Sequence, residues 1–300
     1  MTTEDQELED LLTMLRGSGP DLAVPPPEAR ENFEAMLANL PMADDLSFAP
    51  TRLGSVSGLR ITSAGVAEDA ALLYLHGGAY VIGSAHGYRG LAGELGRATG
   101  VTVYSADYRL APEHPFPAAV EDALAAYRGL MAKGISPSRI VIAGDSAGGG
   151  LTLAMLMAAH EQGLPMPAAA LLLSPWADLS LEGASIKSKA EEDPSLTEEG
   201  LAAMGGMYLD GEDPHTALAS PIHGDFTGLP PLLIHVGSSE ILMDDAVSIA
   251  RAAGAAGVHV QLEIWPRMMH VWHAFGLMLT AGRRATQAAG AFLSSRLGQG

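Results

Sequence analysis

The 300-residue chain contains no cysteine. That excludes a disulfide framework, a thiolate nucleophile and any metal site built on cysteine. No stretch approaches the roughly 20 consecutive apolar residues that a membrane-crossing helix needs. The segment Met1-Thr2-Thr3-Glu4-Asp5 is acidic where a secretory leader would be basic and then apolar. The expectation is therefore a cytoplasmic protein without a membrane span. Positive charge is also scarce: 17 Lys and Arg stand against 35 Asp and Glu, for a formal net charge of -18. Basic residues never cluster beyond the pair Arg283-Arg284. Phosphate would be repelled, which argues against nucleic acid and anionic membrane surfaces as partners. A well-solvated surface accounts for the acidity, and a salt-rich habitat is the other reading. The chain has neither an internal repeat nor a low-complexity tract.

What the chain does have is apolar content, 48% of its residues, enough for one large core or two modest ones. Short apolar runs recur at 70–75, 101–106, 139–143, 168–173, 231–236 and 258–264. Most are apolar at successive rather than alternate positions, as expected for strands covered on both faces of a parallel sheet. Most are separated by a helix-patterned segment of crossover length. The connection between 173 and 231 is about twice as long as the others, which predicts an insertion at about 178–226. An alternating stretch at 47–63 predicts one or two antiparallel edge strands. The first 46 residues read as a separate helical piece. Thr3 with Gln6 makes a capping box, followed by Leu8, Leu11, Leu12 and Leu15 at helical spacing. After Pro25-Pro26-Pro27, a second stripe is formed by Ala29, Phe33, Met36, Leu37 and Leu40.

The most informative five residues are Gly144-Asp145-Ser146-Ala147-Gly148, placed between one apolar run and a long apolar helical segment. A strand, a sharp turn with serine at its apex and a helix make a nucleophile elbow. A glycine-rich turn before a buried helix could carry the same letters, so the assignment rests on what accompanies it. A serine hydroxyl needs a base, most often a histidine oriented by a carboxylate, and both should follow strand ends in the order serine, acid, histidine. After the run at 231–236 comes Glu240, with Asp244 and Asp245 at the start of the next helix. Glu240 stands first as the acid, Asp244 second and Asp245 last; capping and surface charge are the alternative roles of all three. After the run at 258–264 come His270 and His273. His270 falls in a loop and is preferred, while His273 is expected inside the last helix. Their spacing could suggest a metal site, but no third ligand accompanies them. His76-Gly77-Gly78-Ala79 follows the run at 70–75 directly. Its glycines let backbone amides approach a ligand, so Gly77 and Gly78, with the amide of Ala147, are the expected oxyanion donors.

These residues together resemble the bacterial hormone-sensitive-lipase-like esterases, an α/β-hydrolase family. The likeness covers most of the chain from about Leu72. It comprises the loop at 76–79, Tyr108-Arg109-Leu110-Ala111-Pro112-Glu113 with Pro115-Phe116-Pro117-Ala118-Ala119, the elbow at 144–148 and Met269-His270-Val271-Trp272. It implies an α/β fold with a mostly parallel eight-stranded sheet. The helical residues 1–46 and the insertion at 178–226 would cap a catalytic domain spanning 47–300. It further implies hydrolysis of short- to medium-chain carboxylic esters through an acyl-enzyme, with Ser146 as nucleophile, His270 as base and Glu240 as acid. No metal or organic cofactor is needed, and a homodimer is in keeping with the family. Two positions depart from the family pattern. Ala79 replaces the usual third glycine of the oxyanion loop, and the acid is Glu240 where Asp is usual. Arg109 and Glu113 are read as tying their loop to the sheet. Met204, Met207 and Tyr208, with Met36 and Met42, would either line a pliable pocket or, the preferred reading, simply pack the cap. A lactonase or aryl esterase would use the same triad. A non-catalytic receptor on this fold would be expected to lack His270.

Overall fold

The six apolar runs become the parallel part of one eight-stranded sheet. The computed structural model describes residues 2–18 and 24–298. Two helices, α1 (Thr3–Ser18) and α2 (Pro26–Ala38), precede the antiparallel strands β1 (Ser47–Leu53) and β2 (Val56–Thr62). There follow β3 (Ala67–Leu75), α3 (Arg89–Thr99), β4 (Val101–Ala106), α4 (Ala118–Ala132) and β5 (Ile140–Asp145). Then come α5 (Ala147–Glu161), β6 (Ala169–Leu173), α6 (Ser185–Ser188), α7 (Glu198–Leu209) and β7 (Leu232–Gly237). The chain closes with α8 (Met243–Ala255), β8 (Val260–Trp265), a 3-10 turn (Trp272–Phe275) and α9 (Thr280–Arg296). The strand order is β1-β2-β4-β3-β5-β6-β7-β8. Only the β1–β2 and β2–β4 pairings are antiparallel. The expected edge strands thus hold the antiparallel end of the sheet.

Continuity of apolar sequence follows burial. The central strands β5, β6 and β7 are buried at every position, whereas the edges β1 and β8 alternate or lie open. Helix α5, apolar all round, is buried over nearly its whole length, as such a sequence requires. Helix α3 packs with α9 and α4 with α5, so that helices flank the sheet. Each strand-to-helix loop leaves the carboxyl end of a parallel strand, where sites in such sheets form.

The two N-terminal helices do not float free. Leu8, Leu11 and Leu15 of α1 pack with Met268, Met269, Trp272 and Phe275, the segment that carries His270. Arg267 adds ion pairs to Asp5 and Glu9, both at 2.8 Å. The capping box sits one residue earlier than the sequence suggests. Thr2 Oγ1 accepts from the Asp5 amide while the Thr2 amide donates to Asp5 Oδ2. The reason is register: a helix starting at Thr3 makes Thr2 its cap. Helix α2 is fastened by Arg30, whose guanidinium donates to the carbonyls of Val81 and Ala111 and forms a two-point pair with Glu113. Glu113 therefore ties down α2, and Arg109 holds Asp122 and Glu121 of α4. Neither reaches the sheet as expected, because carboxylates and guanidinium on the overlying helices are the nearer partners.

Candidate active site

Ser146 stands where β5 ends and α5 begins, with φ 53° and ψ -123°, a conformation disfavoured for a residue with a side chain. Such strain survives only where the surroundings enforce it. Here the Ser146 amide donates to Leu173 O at 2.8 Å, and its carbonyl accepts from Trp176 N at 2.9 Å. Gly148 allows the turn to close: a Cβ at that position would lie 2.0 Å from Leu75 O. The amino end of the 15-residue helix α5 thus points its positive dipole end at the serine.

Glu240 arrives from the loop after β7 and is completely buried. Its Oε1 accepts from Ser174 Oγ at 2.7 Å and from the Gly237 amide at 2.6 Å, and its Oε2 meets His270 Nδ1 at 3.0 Å. Burial pushes the Glu240 carboxyl above its ordinary range, while the His270 bond and the Gly237 amide oppose that shift. Burial disfavours the His270 imidazolium, but the Glu240 hydrogen bond and charge outweigh it. With help from Asp193 and Asp145, the imidazole lies above 6.5. The two loops can approach because Gly237 has no side chain; its Cβ would come within 2.1 Å of Met268 O. Ser174 also accepts from the Val271 amide at 3.1 Å, so one hydroxyl grips both acid and histidine loops.

With Nδ1 held by Glu240, Nε2 is the ring nitrogen left for a hydroxyl. Ser146 and His270 line one cavity of about 100 Å³, without a hydrogen bond between them. Catalytic hydrogen bonds often tighten only when substrate is bound. Ala79, Gly78, Phe33, Leu37, Leu196 and Leu201 also face this cavity, so α2 and the insertion both reach it. Met36 lines it too, but Met204, Met207 and Tyr208 do not; Tyr208 instead stacks on Tyr80 at 3.9 Å.

The other expectations sort cleanly. Asp244 and Asp245 do not approach His270. Asp244 accepts from the Ser185 amide and Asp245 from the amides of Ala177 and Asp178, so both pin the base of the insertion. His273 lies in the 3-10 turn before α9, not inside it, and pairs with His235 at 3.1 Å. Gly77 requires a correction. Its amide donates to Asp145 Oδ1 at 2.9 Å, beside the Tyr74 hydroxyl at 2.5 Å. A carboxylate buried as completely as Asp145 takes whatever donors are near, and it claims this one. Burial still raises the Asp145 carboxyl to about 6. The amides of Gly78, Ala79 and Ala147 find no acceptor among the described residues. Ala79 thus offers a free N–H beside the cavity where Gly77 does not, in the position where the sequence departs from three glycines. His76 is structural: it stacks on Tyr108 at 4.3 Å, and its carbonyl accepts from the Tyr108 hydroxyl.

A mostly parallel sheet with a strained serine at a strand-to-helix turn and an acid–histidine pair from later strand ends defines the α/β-hydrolase class. Comparison with known proteins agrees. Residues 72–274 match the model of a family described as having the alpha/beta hydrolase fold. An acetyl-hydrolase from Streptomyces hygroscopicus is 53% identical over 229 residues, covering 76% of this chain and 77% of that protein. The crystal structure of an esterase from the bacterial hormone-sensitive lipase family superimposes with a TM-score of 0.94 at 43% identity, over 99% of this chain and 100% of that one. A structure of EstE5 soaked with p-nitrophenyl butyrate gives a TM-score of 0.93 at 44% identity, over 97% and 98%. The chain belongs to the α/β-hydrolase family and, within it, to the bacterial hormone-sensitive-lipase-like esterases.

Proposed function

We propose that this carboxylic ester hydrolase cleaves short- to medium-chain esters through an acyl-enzyme formed on Ser146. The observation that carries the reading is the buried Glu240–His270 pair, at 3.0 Å, opening on the same small cavity as the strained serine. Ser146 Oγ attacks the ester carbonyl while His270 Nε2 takes its proton, and Glu240 stabilises the imidazolium that forms. The oxyanion develops in front of the amides of Gly78, Ala79 and Ala147; each such donor contributes about 3 to 4 kcal/mol in the transition state. His270 returns the proton to the departing alcohol. Water then enters by the same route in reverse and releases the acid. A cavity of about 100 Å³ suits an acyl group of a few carbons.

In this reading residues 1–46 and the insertion at 178–226 form a cap over a catalytic body spanning 47–300. The support is that Phe33, Leu37, Leu196 and Leu201 close the cavity from above the sheet. A cytoplasmic location and a homodimer belong to the same proposal. No helix among the described residues is long and apolar enough to cross a membrane. The decisive test is Ser146→Ala against p-nitrophenyl butyrate. Turnover should vanish while the melting temperature stays within a few degrees of wild type. Retained turnover in the variant would reject the assignment.

A further inference from the structure

Asp193 lies in the insertion, between α6 and α7, yet it is only 8% exposed. A carboxylate so placed must be holding something. Its Oδ1 accepts from the amides of Ser195 at 2.9 Å and Leu196 at 3.1 Å. Its Oδ2 reaches across 48 residues of sequence to the amide of Ile241 at 3.0 Å. Both ends of this bridge matter. Ser195 and Leu196 form part of the wall of the cavity that holds Ser146 and His270. Ile241 directly follows Glu240, whose own backbone is thereby fixed from the insertion side.

We propose that Asp193 is a positioning residue that locks the 195–196 wall of the substrate cavity to the loop bearing the catalytic acid. The proposal rests on the Ser146–Glu240–His270 reading and adds to it a link by which the insertion sets the acid's place. Without it the insertion still grips the acid loop through Ser185, whose hydroxyl donates to Ile241 O at 2.6 Å, but the 195–196 wall loses its own tie and can drift independently of the triad. Displacements on the order of 1 Å cost up to about a hundredfold in rate. The carboxylate has a second consequence. The charged groups facing His270 are Glu240, Asp193 and Asp145, with the neutral His273 behind, and the Asp193 charge favours the imidazolium. Removing that charge makes His270 easier to deprotonate.

A residue that merely shapes a surface turn would show none of this. Asp213 provides the control: it makes the same local turn, accepting from the His215 amide at 2.9 Å, but it is exposed and does not touch the acid loop. The experiment compares wild type with Asp193→Asn, Asp193→Ser and Asp213→Asn. Asparagine and serine can still cap the Ser195 amide, but serine is too short to span to Ile241 and both lack the charge. The readouts are kcat/KM for p-nitrophenyl butyrate across pH, and the titration of the His270 imidazole by nitrogen-15 NMR. Both Asp193 variants should lose roughly tenfold or more in kcat/KM. Both should move the acid limb and the imidazole midpoint to lower pH, with Asp213→Asn matching wild type throughout. The NMR midpoint needs no turnover, so it tests the link even if the esterase reading itself were to fail with Ser146→Ala. An unmoved His270 midpoint with wild-type kcat/KM would overturn the proposal. So would unfolding of both Asp193 variants while Asp213→Asn stays intact, since Asp193 would then serve the fold rather than the site.

Discussion

Replacing Glu240 by glutamine isolates the charge of the acid from its shape. The side-chain oxygen can still accept from Ser174 and Gly237, so the loop keeps its place. The new amide nitrogen faces His270 Nδ1 and donates to it, which forces the proton onto Nε2, the atom that must receive the serine proton. The lost attraction can be bounded. For unit charges at the 3.0 Å separation of the pair, Coulomb's law gives about 1.4 kcal/mol at a dielectric constant of roughly 80 and about 5.5 kcal/mol at roughly 20. At about 1.4 kcal/mol per factor of ten, kcat/KM for p-nitrophenyl butyrate should fall between roughly tenfold and ten-thousandfold. Complete burial of Glu240 places the expected loss toward the upper end. Asp244→Asn is the companion measurement. It disturbs only the bond to Ser185, on the far side of the insertion base, and should change kcat/KM by no more than about threefold, in line with its modest structural role. A loss below threefold in Glu240→Gln, or a larger loss in Asp244→Asn, would refute the assignment of the acid.

Two further outcomes concern protonation. Because His270 must be neutral to act as base and lies above 6.5, activity should fall with decreasing pH along a limb centred above pH 6.5; a flat profile down to pH 5 contradicts this. Burial pushes the Asp245 carboxyl up to about 8. The folded state then holds a proton that the unfolded chain releases near 3.8, and stability falls as pH rises from about 4 to 8. Asp245→Asn keeps an acceptor for the amides of Ala177 and Asp178 without the proton cost. Its melting temperature should match wild type at pH 4 and exceed it at pH 8; a deficit that grows with pH would sink the reasoning.

Much of the site could be read from one dimension because the α/β architecture advertises it. Continuous apolar runs become buried parallel strands, and functional groups follow their carboxyl ends. Ser146, Glu240 and His270 each stand within a few residues of such an end, which is what makes them candidates. Local turn chemistry was legible as well, to within one residue: the first cap is Thr2, where Thr3 reads equally well. The alternatives for the acid were not separable by spacing, since Asp244 and Asp245 also follow β7.

What the sequence by itself determined, then, is the succession of strands along the chain, the strand–turn–helix around Ser146 and the short menu of candidate side chains, because burial and backbone strain act locally. The tertiary structure alone decided which partners those side chains meet. Gly77 gives its amide to Asp145 across 68 residues, Ser174 grips Glu240 across 66, and Asp193 reaches Ile241 across 48. Hydrogen bonds form between whatever donors and acceptors packing brings within about 3 Å. Chain separation carries no information about that distance once loops from different strands converge.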